Sequence, residues 1–207
     1  MVLKFETIVN GPFQENCYLV WDTETLKGVF VDPGDEPERL IQRARFLNLH
    51  IEGIFNTHGH IDHAGAVSRL QKEFQCPFAI HPEDRFLLEE INTQAQMFGL
   101  DPVEVPIPDK DILHGDQVSM AGRQGTVIHT PGHSPGGVCF LLEDVLIVGD
   151  TLFNGSIGRS DLPGGSEKQL IRSIKERLLP LGDHVRVLCG HGPGTTIGIE
   201  RTRNPYL

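Results

Sequence analysis

Three imidazoles and one carboxylate fall within six residues in His58-Gly59-His60-Ile61-Asp62-His63. Imidazole nitrogen and carboxylate oxygen are ligands suited to zinc, iron and manganese. In an extended segment His58 and His60 point to the same side, because side chains alternate along a strand. Gly59 between them lets the backbone pass close to a bound ion or ligand. Asp62 and His63 are neighbours and diverge on a regular element, so the two sets of ligands can serve two ions. A solvated histidine-rich turn would share this composition but not its flanks. Ile51, Ile54 and Phe55 precede it in a β-like run, and Ala66, Val67, Leu70 and Phe74 follow at helical spacing. The cluster is therefore expected on a strand-to-helix turn.

Further ligand types stand just past other apolar runs, where loops build sites. His133 lies among the turn formers of Thr130-Pro131-Gly132-His133-Ser134-Pro135-Gly136. Asp150 ends the run 145–149, and His191 follows the run 185–188 in Gly190-His191-Gly192-Pro193. Each alone has an ordinary explanation, since an aspartate at a strand end is usually a cap or a turn residue. Together with the first cluster they make seven candidate ligands: His58, His60, Asp62, His63, His133, Asp150 and His191.

The elements that must position these residues are legible as short runs. β-like stretches fall at 3–9, 17–21, 28–31, 51–56, 78–80, 118–120, 126–129, 138–142, 145–148 and 185–188. Helical patterns fall at 36–47, 64–74, 85–98 and 167–178, the last opened by a capping box of Ser166 and Gln169. Two sheets faced by helices, a four-layer α/β arrangement in one domain over 1–207, follow from that alternation. Segment 82–115 is either a surface connection or a lid carrying Met97 and Phe98 over the site.

Composition narrows the function. The 207 residues are 39% hydrophobic and 22% charged, with 18 basic against 28 acidic side chains and a net charge of −10. Such an acidic chain repels phosphate backbones, so nucleic acid is not an expected partner. No apolar run approaches membrane-spanning length, and residues 1–10 lack a basic region followed by an apolar run. The four cysteines, Cys17, Cys76, Cys139 and Cys189, form no C-x-x-C pair. Their apolar settings suggest core residues in a reducing, cytoplasmic compartment. Cys189, two residues before His191, reads as a buried strand residue rather than a ligand or nucleophile. His50, His81, His114 and His184 are expected at the surface, and His129 behind the site or in the core rather than among the ligands.

The chain resembles the metallo-β-lactamase-fold hydrolases, αββα sandwiches with a metal site at one sheet edge. Gln14-Glu15-Asn16-Cys17-Tyr18-Leu19, Val31-Asp32-Pro33-Gly34, the ligand segments and 198–206 carry the likeness. The resemblance implies one ion on His58, His60 and His133, a second on Asp62, His63 and His191, and Asp150 between them. Two divalent ions are expected, zinc first, with iron or manganese as alternatives. Family β-lactamases commonly carry cysteine where Asp150 stands, which disfavours antibiotic hydrolysis. The diiron flavoproteins carry glutamate where His60 stands. Gly149-Asp150-Thr151-Leu152-Phe153 and Gly158-Arg159-Ser160-Asp161 are similar to short bacterial glyoxalase II enzymes, hydroxyacylglutathione hydrolases.

That likeness implies a small-molecule thioester substrate such as S-D-lactoylglutathione, with Asp62 also orienting the nucleophile. Arg159 is the candidate for a substrate carboxylate, unless it pairs structurally with Asp161. Long glyoxalase II enzymes add a C-terminal helical domain that helps bind glutathione; the present sequence ends at Leu207 without it. The alternative is a mononuclear iron persulfide dioxygenase of the same fold, using His58, His133 and Asp150. Oligomeric state is not legible in the sequence.

Overall fold

The computed structural model describes residues 2–207. Strands β1 (Leu3–Asn10), β2 (Glu15–Asp22), β3 (Lys27–Val31), β4 (His50–Phe55), β5 (Phe78–Ile80) and β6 (Lys110–Asp111) form one sheet in that order. The first three pair antiparallel, and β3 to β6 run parallel. The second sheet holds β7 (Gln117–Met120), β8 (Arg123–His129), β9 (Val138–Leu142) and β10 (Val145–Gly149). A small ribbon, β11 (Leu152–Phe153) with β12 (Ser156–Ile157), intervenes before β13 (Arg186–Cys189) and β14 (Thr195–Thr196). Its order is β14-β13-β10-β9-β8-β7; β10 and β13 pair parallel and the other neighbours antiparallel.

Three apolar cores separate four layers. Alternation along β2 sends Cys17 and Leu19 to one face and Tyr18 and Val20 to the other. The first face meets α1 (Pro37–Phe46), α3 (Val67–Phe74) and α5 (Ile91–Phe98), through residues such as Leu40, Leu70 and Ile91. The second packs sheet against sheet, with Val29, Phe55 and Ala79 opposite Val127, Phe140 and Ile147. On the far side Leu146, Val148 and Cys139 meet Leu170 of α6 (Glu167–Ser173) and Ile197 of α7 (Ile197–Arg203). Central strands buried on both faces explain the nearly unbroken apolar runs. Phe140 sits between the sheets with its ring 5.8 Å from that of Phe55. Truncating it to alanine costs about 3–5 kcal/mol, the usual penalty for emptying an aromatic site.

The helical segments differ in detail from the sequence pattern. The run expected at 64–74 begins earlier, as α2 (Ile61–Ala64), and restarts at Val67. Between them Gly65 abuts Gly34, and Ala66 N donates to the Pro33 carbonyl at 3.1 Å. The run 85–98 is broken at Glu90 into α4 (Arg85–Glu89) and α5. The run 167–178 starts with Ser166 Oγ accepting from Gln169 N, then loosens into a π turn at Ile174–Leu178. Helix α7 has no counterpart in the sequence pattern. It is seven residues long, too short for periodicity, and is nucleated by Thr196 accepting from Ile199 N. Segment 82–115 divides in function: α4 and α5 wall the site, whereas Glu104 and Asp109 bind back to Lys72 and Gln71 on α3 as a surface connection. Among the described residues no helix is long and apolar enough to cross a membrane.

Candidate metal centre

The ligand-type residues leave the C-terminal ends of their strands, the end at which α/β sheets place ligands. His58, His60, Asp62 and His63 follow β4, His133 follows β8, Asp150 follows β10 and His191 follows β13. The sheets are tied together here. Thr57 O accepts from Val138 N at 2.8 Å, Asn16 N donates to Gly190 O at 2.8 Å, and Tyr18 OH donates to Cys189 O. Gly190 permits a close approach: a Cβ there would stand 2.2 Å from Asp150 Oδ1. Gly149 takes a φ of +51°, and a Cβ on it would lie 2.1 Å from Thr57 Oγ1.

Two groups result. In the first, His133 Nε2 lies 2.9 Å from His60 Nδ1 and 3.2 Å from His58 Nε2. A tetrahedral ion with bonds of about 2.0–2.1 Å holds neighbouring nitrogens roughly 3.3 Å apart. In the second, Asp62 Oδ2 lies 3.3 Å from His191 Nε2 and 3.8 Å from His63 Nε2. Asp150 faces both groups: Oδ1 is 3.3 Å from His63 Nε2, and Oδ2 is 3.6 Å from His191 Nε2 and 3.7 Å from His133 Nε2. His63 Nε2 and Asp150 Oδ1 are buried without a hydrogen-bond partner. Buried polar atoms are normally paired, so these two fit a bound cation between them. The donors and their spacing match divalent metal ions.

The far ring nitrogens are anchored so that the near ones face inward. His133 Nδ1 donates to the Arg159 carbonyl at 2.7 Å, and His191 Nδ1 donates to the Phe13 carbonyl at 3.1 Å. A carbonyl only accepts, so each Nε2 turns its lone pair to the cluster. His63 Nδ1 meets Asp32 Oδ2 at 3.1 Å, with Glu15 Oε1 at 3.8 Å. Asp32 is itself held by Thr57, through the backbone N–H at 2.7 Å and Oγ1 at 2.6 Å. Asp84 joins the two ligand loops: it accepts from Gly59 N at 3.0 Å, Ser134 Oγ at 2.7 Å and Gly136 N at 2.6 Å.

Burial and neighbouring charge divide the titrating groups. Burial, then His133, pushes His60 down to about 3, and burial lowers His58 in the same way. Burial also opposes charge on His63, but Asp150 and Asp62 outweigh it and raise its pKa well above the ordinary value. Burial works against the charged form of Asp150, yet His63, His133 and His191 hold its carboxyl below the usual range.

A cleft of ≈ 420 Å³ opens over the cluster, walled by Phe13, α4, α5 and the loop after Arg159. Arg159 lines it with its guanidinium paired to Asp161, both contacts 2.8 Å. Cys189 is wholly buried, burial pushes its thiol up to about 12, and it stands outside the convergent ligand groups. His50, His114 and His184 are exposed. His81 is not: it is 5% exposed, stacks on His129 at 4.2 Å, and accepts from Glu83 N to start the turn at Pro82–Asp84. Its polar sequence context concealed that capping role. His129 donates from Nε2 to the Pro135 carbonyl at 2.8 Å, behind the His133 loop. The sequence does not single out Asp84, and Asp32 enters only within the Val31-Asp32-Pro33-Gly34 run, with no role at the site. Asp32 carried a usable signal, an aspartate just past an apolar run and before Pro33-Gly34.

Residues 10–191 match the family model of the metallo-beta-lactamase superfamily. The chain is 41% identical to hydroxyacylglutathione hydrolase GloC of Haemophilus influenzae, over 99% of this chain and 98% of that protein. Among solved structures it is similar to TTHA1623 in a di-iron-bound form (TM-score 0.90, 41% identity, 98% and 100% of the two chains). It is also similar to the BLEG-1 B3 metallo-beta-lactamase (TM-score 0.91, 37% identity, 99% of each chain). The chain belongs to the metallo-beta-lactamase superfamily and is a metallohydrolase of its αββα fold.

Proposed function

We propose that this chain is a dinuclear metallohydrolase of thioesters, with S-D-lactoylglutathione as the test substrate. His58, His60 and His133 would hold one ion, Asp62, His63 and His191 the other, and Asp150 would contact both. Two such ions supply a water nucleophile at neutral pH, by lowering the pKa of water to about 7, and polarise a carbonyl. The protein's part is orientation. Asp62, 3.3 Å from His191 Nε2, would direct the nucleophile, and Asp150 would keep the two ligand sets in register. The relationship to a hydroxyacylglutathione hydrolase along nearly the full length supports this reading.

The full-length relationship to hydroxyacylglutathione hydrolase GloC carries the thioester assignment, and the carboxylates of the cleft agree with it. Among the described residues lining the cleft, the carboxylates are Asp62 and Asp150 of the cluster and Glu90, which accepts from Thr93 Oγ1 at 2.7 Å. A thiol has a pKa of about 8.5, so a thiolate departs without a strong general acid. An amine or alkoxide does not. Hydrolysis of a strained lactam is a second reading, supported by the likeness to the B3 lactamase. Assays of S-D-lactoylglutathione and of a chromogenic cephalosporin on the same metal-loaded protein separate them. The thioester is expected to turn over faster, and the reverse order overturns the assignment.

A further inference from the structure

The cleft is furnished for hydrocarbon rather than for a charged thiol. Phe13 comes from the β1–β2 turn, Phe86 and Leu87 from α4, Met97 and Phe98 from α5, and Leu162 from the loop after Arg159. Phe13 and Phe98 meet edge to face at 5.1 Å and close one end. Met97 and Phe98 are nonetheless 73% and 46% exposed, large apolar side chains left at the mouth. Exposed apolar groups concentrated around a concavity mark a binding surface.

The polar groups outside the ligand set have partners within the protein. Arg159 pairs with Asp161 through Nε and Nη2. Gln94 accepts from Ile61 N at 3.0 Å and donates to the Leu87 carbonyl at 2.7 Å. Glu90 takes the Thr93 hydroxyl and adds an acidic group to the rim. Among the described lining residues, then, the one arginine or lysine is Arg159, already shared with Asp161, against the two carboxylates of glutathione. Desolvating such carboxylates against apolar walls without partners is costly, whereas a hydrocarbon chain gains from the same walls.

We propose that the cleft selects thioesters by an uncharged hydrocarbon chain beside the scissile carbonyl, and that medium-chain acyl thioesters are better substrates than glutathione thioesters of small hydroxy acids. This rests on the thioesterase reading of the metal centre. The acyl chain lies along Phe86, Leu87 and Phe98, and the carbonyl faces the cluster. The thiol portion, which the cleft does not read, can vary.

The test is kcat/KM of the zinc-loaded and of the iron-loaded protein for S-acyl-N-acetylcysteamines from acetyl to octanoyl, beside S-D-lactoylglutathione. Each added methylene should raise kcat/KM about fourfold until the cleft is filled, and the longer chains should exceed lactoylglutathione. The double variant Met97→Ser with Phe98→Ser should flatten the series. Cleavage of every thioester with a flat or falling dependence on chain length overturns this inference and leaves the thioesterase reading standing. Cleavage of none overturns that reading and the inference with it.

Discussion

Asp32 Oδ2 stands 3.1 Å from Nδ1 of His63, on the side of the ring away from Asp150. The imidazole is thus held between two carboxylates, one fixing its orientation and the other facing the ligand cluster. Partners of this kind, behind a metal-ligating histidine, typically contribute 10–100-fold to metal affinity. Asp32→Ala should therefore weaken binding of the second ion by about 10–100-fold. Competition with a chelator measures it, and unchanged affinity would remove Asp32 from the account. The buried Thr57 hydroxyl also loses its acceptor in this variant, so the melting temperature should fall as well.

The two ligand groups should fill differently with pH. His58 and His60, lowered by burial, are neutral near pH 7 and ready to ligate. His63 and His191 are raised by the carboxylates around them despite burial, so they hold protons that an incoming ion must displace. Affinity at the second group accordingly rises with pH until those raised pKa values are passed, whereas His58 and His60 hold no protons to displace near neutral pH. Titration of metal-free protein should show the affinity for the second ion climbing more steeply with pH than the affinity for the first. Equal pH dependence of the two contradicts the division.

Asp62→Ala should lower kcat much more than it changes KM. The residue faces His191 and the cleft, and a group that orients the nucleophile acts in the transition state rather than on ground-state binding. Steady-state kinetics with S-D-lactoylglutathione distinguish the cases. Near-normal turnover with a large rise in KM would assign Asp62 to substrate binding instead.

How much of this was legible in the sequence depended on distance along the chain. The cluster at His58 to His63 is contiguous, so its chemistry shows without the fold. His133, Asp150 and His191 needed only a ligand residue type and a position just past an apolar run. Asp84 had the residue type but lay beyond the turn that follows the run ending at Ile80. Its three donors come from Gly59, Ser134 and Gly136, 25, 50 and 52 residues away, and only the packing of sheet on sheet brings them together. Glu90 interrupts a helix whose periodicity continues through it, so the break between α4, which carries Phe86, and α5, which carries Phe98, was invisible. The layers themselves were readable because each central strand alternates between two apolar cores.

Asp84→Asn should destabilise the fold more than a surface change would. The carboxylate accepts from three donors, and an amide offers one oxygen and places an NH2 against an N–H or O–H. Losing buried hydrogen bonds to a charged acceptor costs roughly 1.5–3 kcal/mol each at full effect. A fall in the urea midpoint, together with loosened metal binding as the two ligand loops separate, is the expected result. An unchanged midpoint would mean that the loops are held by other contacts.

The dinuclear thioesterase assignment is tested most directly by turnover of the metal-loaded protein in a sealed cell with an oxygen electrode. S-D-lactoylglutathione and glutathione persulfide are supplied in turn, with air and without. The expected result is thioester cleavage at the same rate in both atmospheres, no oxygen uptake with either compound, and two metal ions per chain. Oxygen uptake with the persulfide, no cleavage of the thioester and one iron per chain would contradict the assignment and point to the mononuclear oxygenase built on His58, His133 and Asp150.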